Sequence, residues 1–273
     1  MKSIQAIVFS LFFLITSRVC AQTPNLQREI DKYVKPYVET RNFNGTVLVS
    51  QKGNLLYERS FGYANEDFSM LNQSSTVYHI ASVSKNFTAA AILILEQKGN
   101  LKTTDLLTQY IPDYPSGSKI SIHHLLSHTS GIPNINDMPE YADASKKPQT
   151  PESLIGIFKT KPLEFEPGTR YKYSNSNYNL LAFIIERISG LSYGEFLKKE
   201  IFMPAGMKQT VHHARANDFI TGVATGYQSD GKFGLEKSEY LDWSSKVGNG
   251  SLYTTVHNPL AWDKALTNNT ILS

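Results

Sequence analysis

Apolar side chains recur at helical spacing near the start of the chain, where Leu26, Ile30, Tyr33, Val34 and Tyr37 fall at offsets 0, 4, 7, 8 and 11. That period predicts an amphipathic helix. The next stretch, GTVLVSQKGNLLYERSFGYA, reads as two strands of an antiparallel sheet joined at Gly53-Asn54. From Ser82, SVSKNFTAAAILILEQKG predicts a helix that Gly99 ends. Between Phe87 and Leu95 this helix is apolar on nearly every face except at Thr88, so it belongs in the interior. Residues 101–220 give mostly helical periods broken by turns such as Pro167-Gly168, and strand character returns at Ala224–Gln228 and Gly250–Thr255. The order helix, hairpin, helical body, strands predicts an α/β (α+β) fold in which an antiparallel sheet is flanked by helices and carries an all-helical insertion.

The first residues change the picture of where the chain works. MKSIQAIVFSLFFLITSRVCAQ has Lys2, an apolar run from Ala6 to Ile15, and the small-residue site Val19-Cys20-Ala21. This predicts a secretory signal over residues 1–21, a mature domain over 22–273, and a periplasmic or secreted protein. Ten apolar residues are too few to span a bilayer, and no later run approaches the required ~20, so no stable membrane insertion is expected. Ser17-Arg18-Val19 lacks the small neutral residues that would make Cys20 a lipid site. Cleavage removes the only cysteine, so no disulfide is expected and thiol redox chemistry is excluded.

Composition is that of an ordinary globular protein: 273 residues, 41% apolar, 19% charged. Lys+Arg number 27 against 24 acids; removing Lys2 and Arg18 leaves 25 against 24, a net charge of +1. Such a balance supplies no electrostatic case for binding nucleic acid.

Ser82-Val83-Ser84-Lys85 is the most informative tetrapeptide. Residues three apart share a helix face, so the Ser82 hydroxyl and Lys85 amine become a nucleophile beside a base. At a helix N-terminus the Ser82 N–H has no intrahelical acceptor and is free to donate to an oxyanion. Burial lowers the pKa of the lysine toward that of a useful base. A second match, Ser116-Gly117-Ser118-Lys119, lies in a Pro/Gly/Ser loop with no apolar helix behind it. Downstream, Tyr173-Ser174-Asn175 places a phenol and an amide on one short loop that could converge on Ser82. Tyr63-Ala64-Asn65 has the same spacing but falls on the second hairpin strand.

Three further patterns have simpler readings. Gly190-Leu191-Ser192-Tyr193-Gly194 fits a nucleophile elbow, yet a helix rather than a strand precedes it; Gly190 reads as a helix C-cap and Ser192 with Glu195 as a capping box. His124 and His128 are four apart, but Leu125 replaces the glutamate of H-E-x-x-H and no third ligand is evident. His79, His257 and the pair His212-His213 read as solvated or hydrogen-bonded residues.

Taken together, IASVSKNFTAAAI, HHLLSHTSGIP and PLEFEPGTRYKYSNSNYNLLAFIIERISGLSYGEFLKKEIFMPAGM resemble the serine β-lactamase-related family, which includes class C β-lactamases, D-alanyl-D-alanine carboxypeptidases and esterases. The resemblance implies Ser82 as acylated nucleophile, Lys85 and Tyr173 sharing the proton transfers, and Asn175 contacting substrate. It also implies an amide or ester substrate, small molecule or peptide, and no metal or organic cofactor. Members carry a third motif, Lys-Thr-Gly or His-x-Gly, on a late strand. Lys232-Phe233-Gly234 matches only K-x-G and sits in a polar hairpin tip. The expectation is therefore a C-terminally truncated member lacking its late strands, and an impaired fragment or a penicillin-binding or sensing module without turnover is the alternative.

Overall fold

The structure is a computed structural model and describes residues 23–212, 220–229, 231 and 234–272. The expected signal segment with Cys20, His213, and Lys232-Phe233 of the K-x-G match lie outside these residues. Among the described residues, no helix is long and apolar enough to cross a membrane. Two compact units divide the chain after Ser74.

The first unit holds helix α1 (Thr23–Glu39) and the antiparallel hairpin β1 (Gly45–Gln51) and β2 (Asn54–Phe61). Helix and strand are tied where Asp31 accepts from the Tyr57 hydroxyl at 2.7 Å and pairs with Arg59 at 2.8 Å. The hairpin turn falls one residue earlier than its sequence suggests. Gln51 pairs with Asn54, leaving Lys52 and Gly53 as the turn, with φ of 51° and 75°. A two-residue turn of this hand needs left-handed backbone at both positions; with glycine in the second place, Asn54 is left to begin the strand. Gly62, with φ of 65°, then ends β2. Tyr63-Ala64-Asn65 is consequently a short strand of its own, β3 (Tyr63–Asn65), paired with β4 (Met70–Leu71) and not part of the hairpin.

In the second unit, β5 (Tyr78–His79) leads through a 3₁₀ turn, Ala81–Val83, into α2 (Ser84–Gln97). There follow α3 (Ile122–Leu126), α4 (Pro139–Ala144), α5 (Pro151–Phe158), α6 (Asn175–Ser189) and α7 (Tyr193–Leu197). The remaining elements are β6 (Val211–His212), β7 (Tyr227–Ser229), β8 (Leu235–Lys237), β9 (Leu252–Thr254) and α8 (His257–Thr267). Strand β9 inserts between β5 and β6, antiparallel to both, so a late segment pins the strand that feeds the Ser82 turn. Strand β7 pairs with β8, and Gly234 lies just before β8.

The core gathers Phe87, Ile92 and Leu95 of α2, Leu154 and Phe158 of α5, Leu180, Leu181, Ile184 and Ile185 of α6, and Tyr193 of α7. Burying each such side chain stabilises the fold by roughly 1.5–3 kcal/mol before conformational entropy is charged. The helix expected to be interior is interior, with only Asn86, Leu93 and Gln97 exposed on α2. Its odd polar residue is satisfied: buried Thr88 donates to the Gly248 carbonyl at 2.6 Å and shares a 2.7 Å bond with the Tyr193 hydroxyl. The α-helix itself starts at Ser84, two residues later than the sequence suggests. Ala81 has φ of 43°, a left-handed conformation that costs about 1–2 kcal/mol in an L-residue and that an α-helix does not admit.

Candidate active site

Ser82 sits on the 3₁₀ turn and Lys85 on the first turn of α2, so the spacing of three sets the hydroxyl and amine together at 3.2 Å. Ser82 is exposed, whereas Lys85 is only 7% exposed. The Tyr173 hydroxyl lies 2.8 Å from Ser82 Oγ and donates to Asn175 Oδ1 at 3.2 Å. Lys85 Nζ donates to Asn175 Oδ1 at 2.8 Å and to the main-chain carbonyl of Asn249 at 2.7 Å. All four residues named from sequence thus meet in one constellation. Tyr173 and Asn175 do not share a loop: Asn175 is the first residue of α6, and Ser174 is its N-cap position.

The first turn of α6 is what assembles the site. Asn134 Oδ1 accepts the Asn175 N–H at 2.9 Å, capping the helix from another segment because Ser174 supplies no side-chain cap. Ser176 bonds the Pro133 carbonyl and the Ile135 N–H, Asn177 accepts from Ser130, and Asn179 donates to the Val247 carbonyl. This polar run, NSNYN, is buried, and its side chains tie the 130–135 segment and the Val247 carbonyl to one helix end.

The segment that reaches Lys85 depends on glycine. Gly248 has φ of 76°, and a Cβ there would come within 2.2 Å of the Tyr178 carbonyl oxygen and 2.7 Å of Ala182 Cβ. Without a side chain the 247–250 turn lies flat on α6 and turns the Asn249 carbonyl to Lys85. Gly250 backs onto strained Ala81, and its carbonyl meets His79 Nε2.

Burial first, and the nearby Lys246 cation second, lower the Lys85 pKa from 10.5 to about 7. The rings of Tyr173 and Tyr178, 4.9 and 5.5 Å from Nζ, favour the charged form. That attraction is worth about 0.5–2 kcal/mol, against a shift that corresponds to roughly 5 kcal/mol, so desolvation prevails. A neutral amine has two N–H donors and one lone pair. Asn175 Oδ1 and the Asn249 carbonyl can only accept, so they take both hydrogens, and the lone pair is left facing Ser82.

His128 completes the support. Its ring stacks on Tyr173 at 4.6 Å, and Nδ1 accepts the Ser174 N–H at 3.2 Å. Burial and then the Lys85 charge push its pKa down to about 4, so the ring is neutral at physiological pH. His124 faces elsewhere, its Nδ1 accepting the Ser121 N–H, and among the described residues no three His, Cys, Asp or Glu side chains gather to hold a metal. His79 stacks on Trp243, and His212 Nδ1 bonds Ser251 Oγ at 2.7 Å.

The decoys are structural. Ser116 is left-handed, with φ of 57°, and Lys119 pairs with Glu166. Gly190 ends α6 with φ of 69°, and Ser192 and Glu195 form the reciprocal capping box of α7.

Sequence reasoning missed Asn249, Lys246 and the part played by His128. One signal was available: Lys246-Val247-Gly248 also has K-x-G spacing, but it lies in a turn and not on a strand.

This arrangement agrees with what the chain resembles. It matches the Beta-lactamase family over residues 30–273. The chain belongs to the β-lactamase family. Penicillin-binding protein 4* of Bacillus subtilis is 34% identical over 254 residues, covering 89% of this chain and 56% of that protein. A putative penicillin-binding protein, PbpX, of the same organism is 32% identical, covering 85% and 57%. The β-lactamase-family member described here therefore spans about half the length of these curated relatives. Among solved structures, a D-amino acid amidase from Ochrobactrum anthropi superposes with a TM-score of 0.80 at 25% identity, covering 93% of this chain and 72% of that one. A penicillin-binding protein from Bacillus halodurans gives 0.77 at 26%, covering 88% and 74%. The β-lactamase/transpeptidase-like fold expected from the motifs is the fold found.

Proposed function

We propose that this β-lactamase-family chain is a secreted serine hydrolase that attacks an amide or ester carbonyl through Ser82. The observation that carries this reading is the lone pair of a buried Lys85, its pKa lowered to about 7, aimed at an exposed hydroxyl. Lys85 takes the Oγ proton as Oγ bonds to the substrate carbon, and the Ser82 N–H, which has no acceptor among the described residues, donates to the developing oxyanion. The carbon–nitrogen or carbon–oxygen bond then breaks, and the leaving group takes a proton from Tyr173, which Lys85 resupplies. Water reverses these steps to free the acid and Ser82. Asn175 holds the network through Lys85 and Tyr173, and by the family resemblance it contacts the substrate.

The penicillin-binding relatives and the amidase support an acyl-transfer substrate, β-lactam, D-Ala-D-Ala peptide or small ester, as the class. No Lys-Thr-Gly or His-x-Gly triplet occurs within residues 1–273. Incubation with a fluorophosphonate and with a labelled β-lactam, read by intact mass, tests the proposal. A β-lactam adduct that forms and decays supports hydrolysis; one that persists supports a penicillin-binding module; no adduct on Ser82 with either reagent removes the reading.

A further inference from the structure

In the second unit Lys98, Lys119, Lys159, Lys161 and Lys172 each meet an acid within 3.2 Å. Lys246 is different. It is half-buried, and among the described residues neither it nor Lys85 has an ion-pair partner. Its Nζ rests 4.7 Å from the ring centroid of buried Tyr141, whose hydroxyl donates to the Ser245 carbonyl at 3.0 Å. Lys246 closes the 3₁₀ turn Trp243–Lys246, which Asp242 caps by accepting from Ser244. The Lys246 carbonyl in turn accepts the N–H groups of Asn249 and Gly250, at 3.0 and 2.8 Å. One short run of backbone therefore carries both the Lys246 cation and the Asn249 carbonyl that holds Lys85.

We propose that Lys246 is a positioning residue for the amine of Lys85, its cation seated on Tyr141 disfavouring a second positive charge at that amine and its turn aiming the lone pair at Ser82. The groups that face Lys85 from the surrounding elements are Tyr173, Tyr178, His128 and Lys246, and none is an acid. Burial lowers the Lys85 pKa and Lys246 lowers it further, while neutral His128 offers no compensating charge. The catalytic meaning of this tuning rests on the hydrolase reading; the electrostatic coupling itself does not.

The test is a titration of the full chain carrying [¹³Cε]lysine, followed by NMR, with the Lys85 signal assigned by its loss in Lys85→Arg. In Lys246→Gln and Lys246→Met the Lys85 midpoint moves upward, and in Lys246→Arg it stays at the wild-type value. Fluorophosphonate labelling at neutral pH slows about tenfold per unit of upward shift in the two neutral variants and recovers at higher pH. A Lys85 midpoint unmoved by either neutral substitution overturns the proposal. So does a loss of labelling that is uniform across pH. Absence of labelling in the wild type would instead count against the hydrolase reading, since the NMR midpoints answer separately.

Discussion

The amine of Lys85 donates to the main-chain carbonyl of Asn249 at 2.7 Å, across 164 positions of sequence. Together with the bond to Asn175 Oδ1, this contact decides which way the lysine lone pair faces. An amine left free to rotate would spend its hydrogens on Ser82 as readily as its lone pair. The backbone that supplies the carbonyl is held by Thr88, Asn179 and Tyr141, so the interior of the second unit orients the site.

Ser82→Ala is expected to abolish fluorophosphonate labelling, while Ser116→Ala and Ser192→Ala retain it. Ser192→Ala costs instead about 1 kcal/mol of stability through loss of the α7 cap. Intact-mass spectrometry of the four proteins decides, and an adduct on Ser82→Ala would sink the nucleophile assignment.

Labelling rate in the wild type is expected to climb with pH through about 7 and then level off, because Lys85 must lose its proton to accept one from Ser82. Lys85→Ala slows labelling by about 10²- to 10⁴-fold and erases that limb. A limb that survives in Lys85→Ala transfers the base role to Tyr173, a transfer that Tyr173→Phe checks directly.

His128 makes stability fall on acidification. Its folded pKa, about 4, is below the unfolded value of 6.5, so under pH 6.5 the unfolded chain binds a proton the folded one refuses. The loss grows from pH 6.5 down to about 4 and amounts to roughly 3 kcal/mol for this group, which is only 8% exposed. His128→Asn keeps a hydrogen-bond acceptor for the Ser174 N–H and tolerates the left-handed backbone here, φ of 58°, but has no titration in this range. Urea unfolding at neutral and acid pH should show the wild type losing more than His128→Asn, and labelling should slow in the variant because Tyr173 loses its stacking partner.

Gly248→Ala is expected to cost about 3 kcal/mol or more, since a left-handed alanine is strained and its methyl would strike the Tyr178 carbonyl. Gly99→Ala, equally left-handed at φ of 74° but in open space, should cost about 1–2 kcal/mol. Chemical denaturation measures both, and equal losses would refute the role given to close packing under Asn249. Labelling should also fall in Gly248→Ala alone.

Local chemistry along the chain determined the hairpin, the interior helix with Lys85 three residues after Ser82, the C-cap at Gly190 and the capping box at Ser192, because periods, caps and turn residues act over a few positions. The motifs also named Tyr173 and Asn175. Only the tertiary structure decided that left-handed Ala81 delays the helix to Ser84, and that Asn249, Lys246 and His128 surround Lys85. Those outcomes depend on backbone carbonyls, burial and charges brought together from distant positions, and a desolvated amine has no local signature until the groups that exclude water from it are in place.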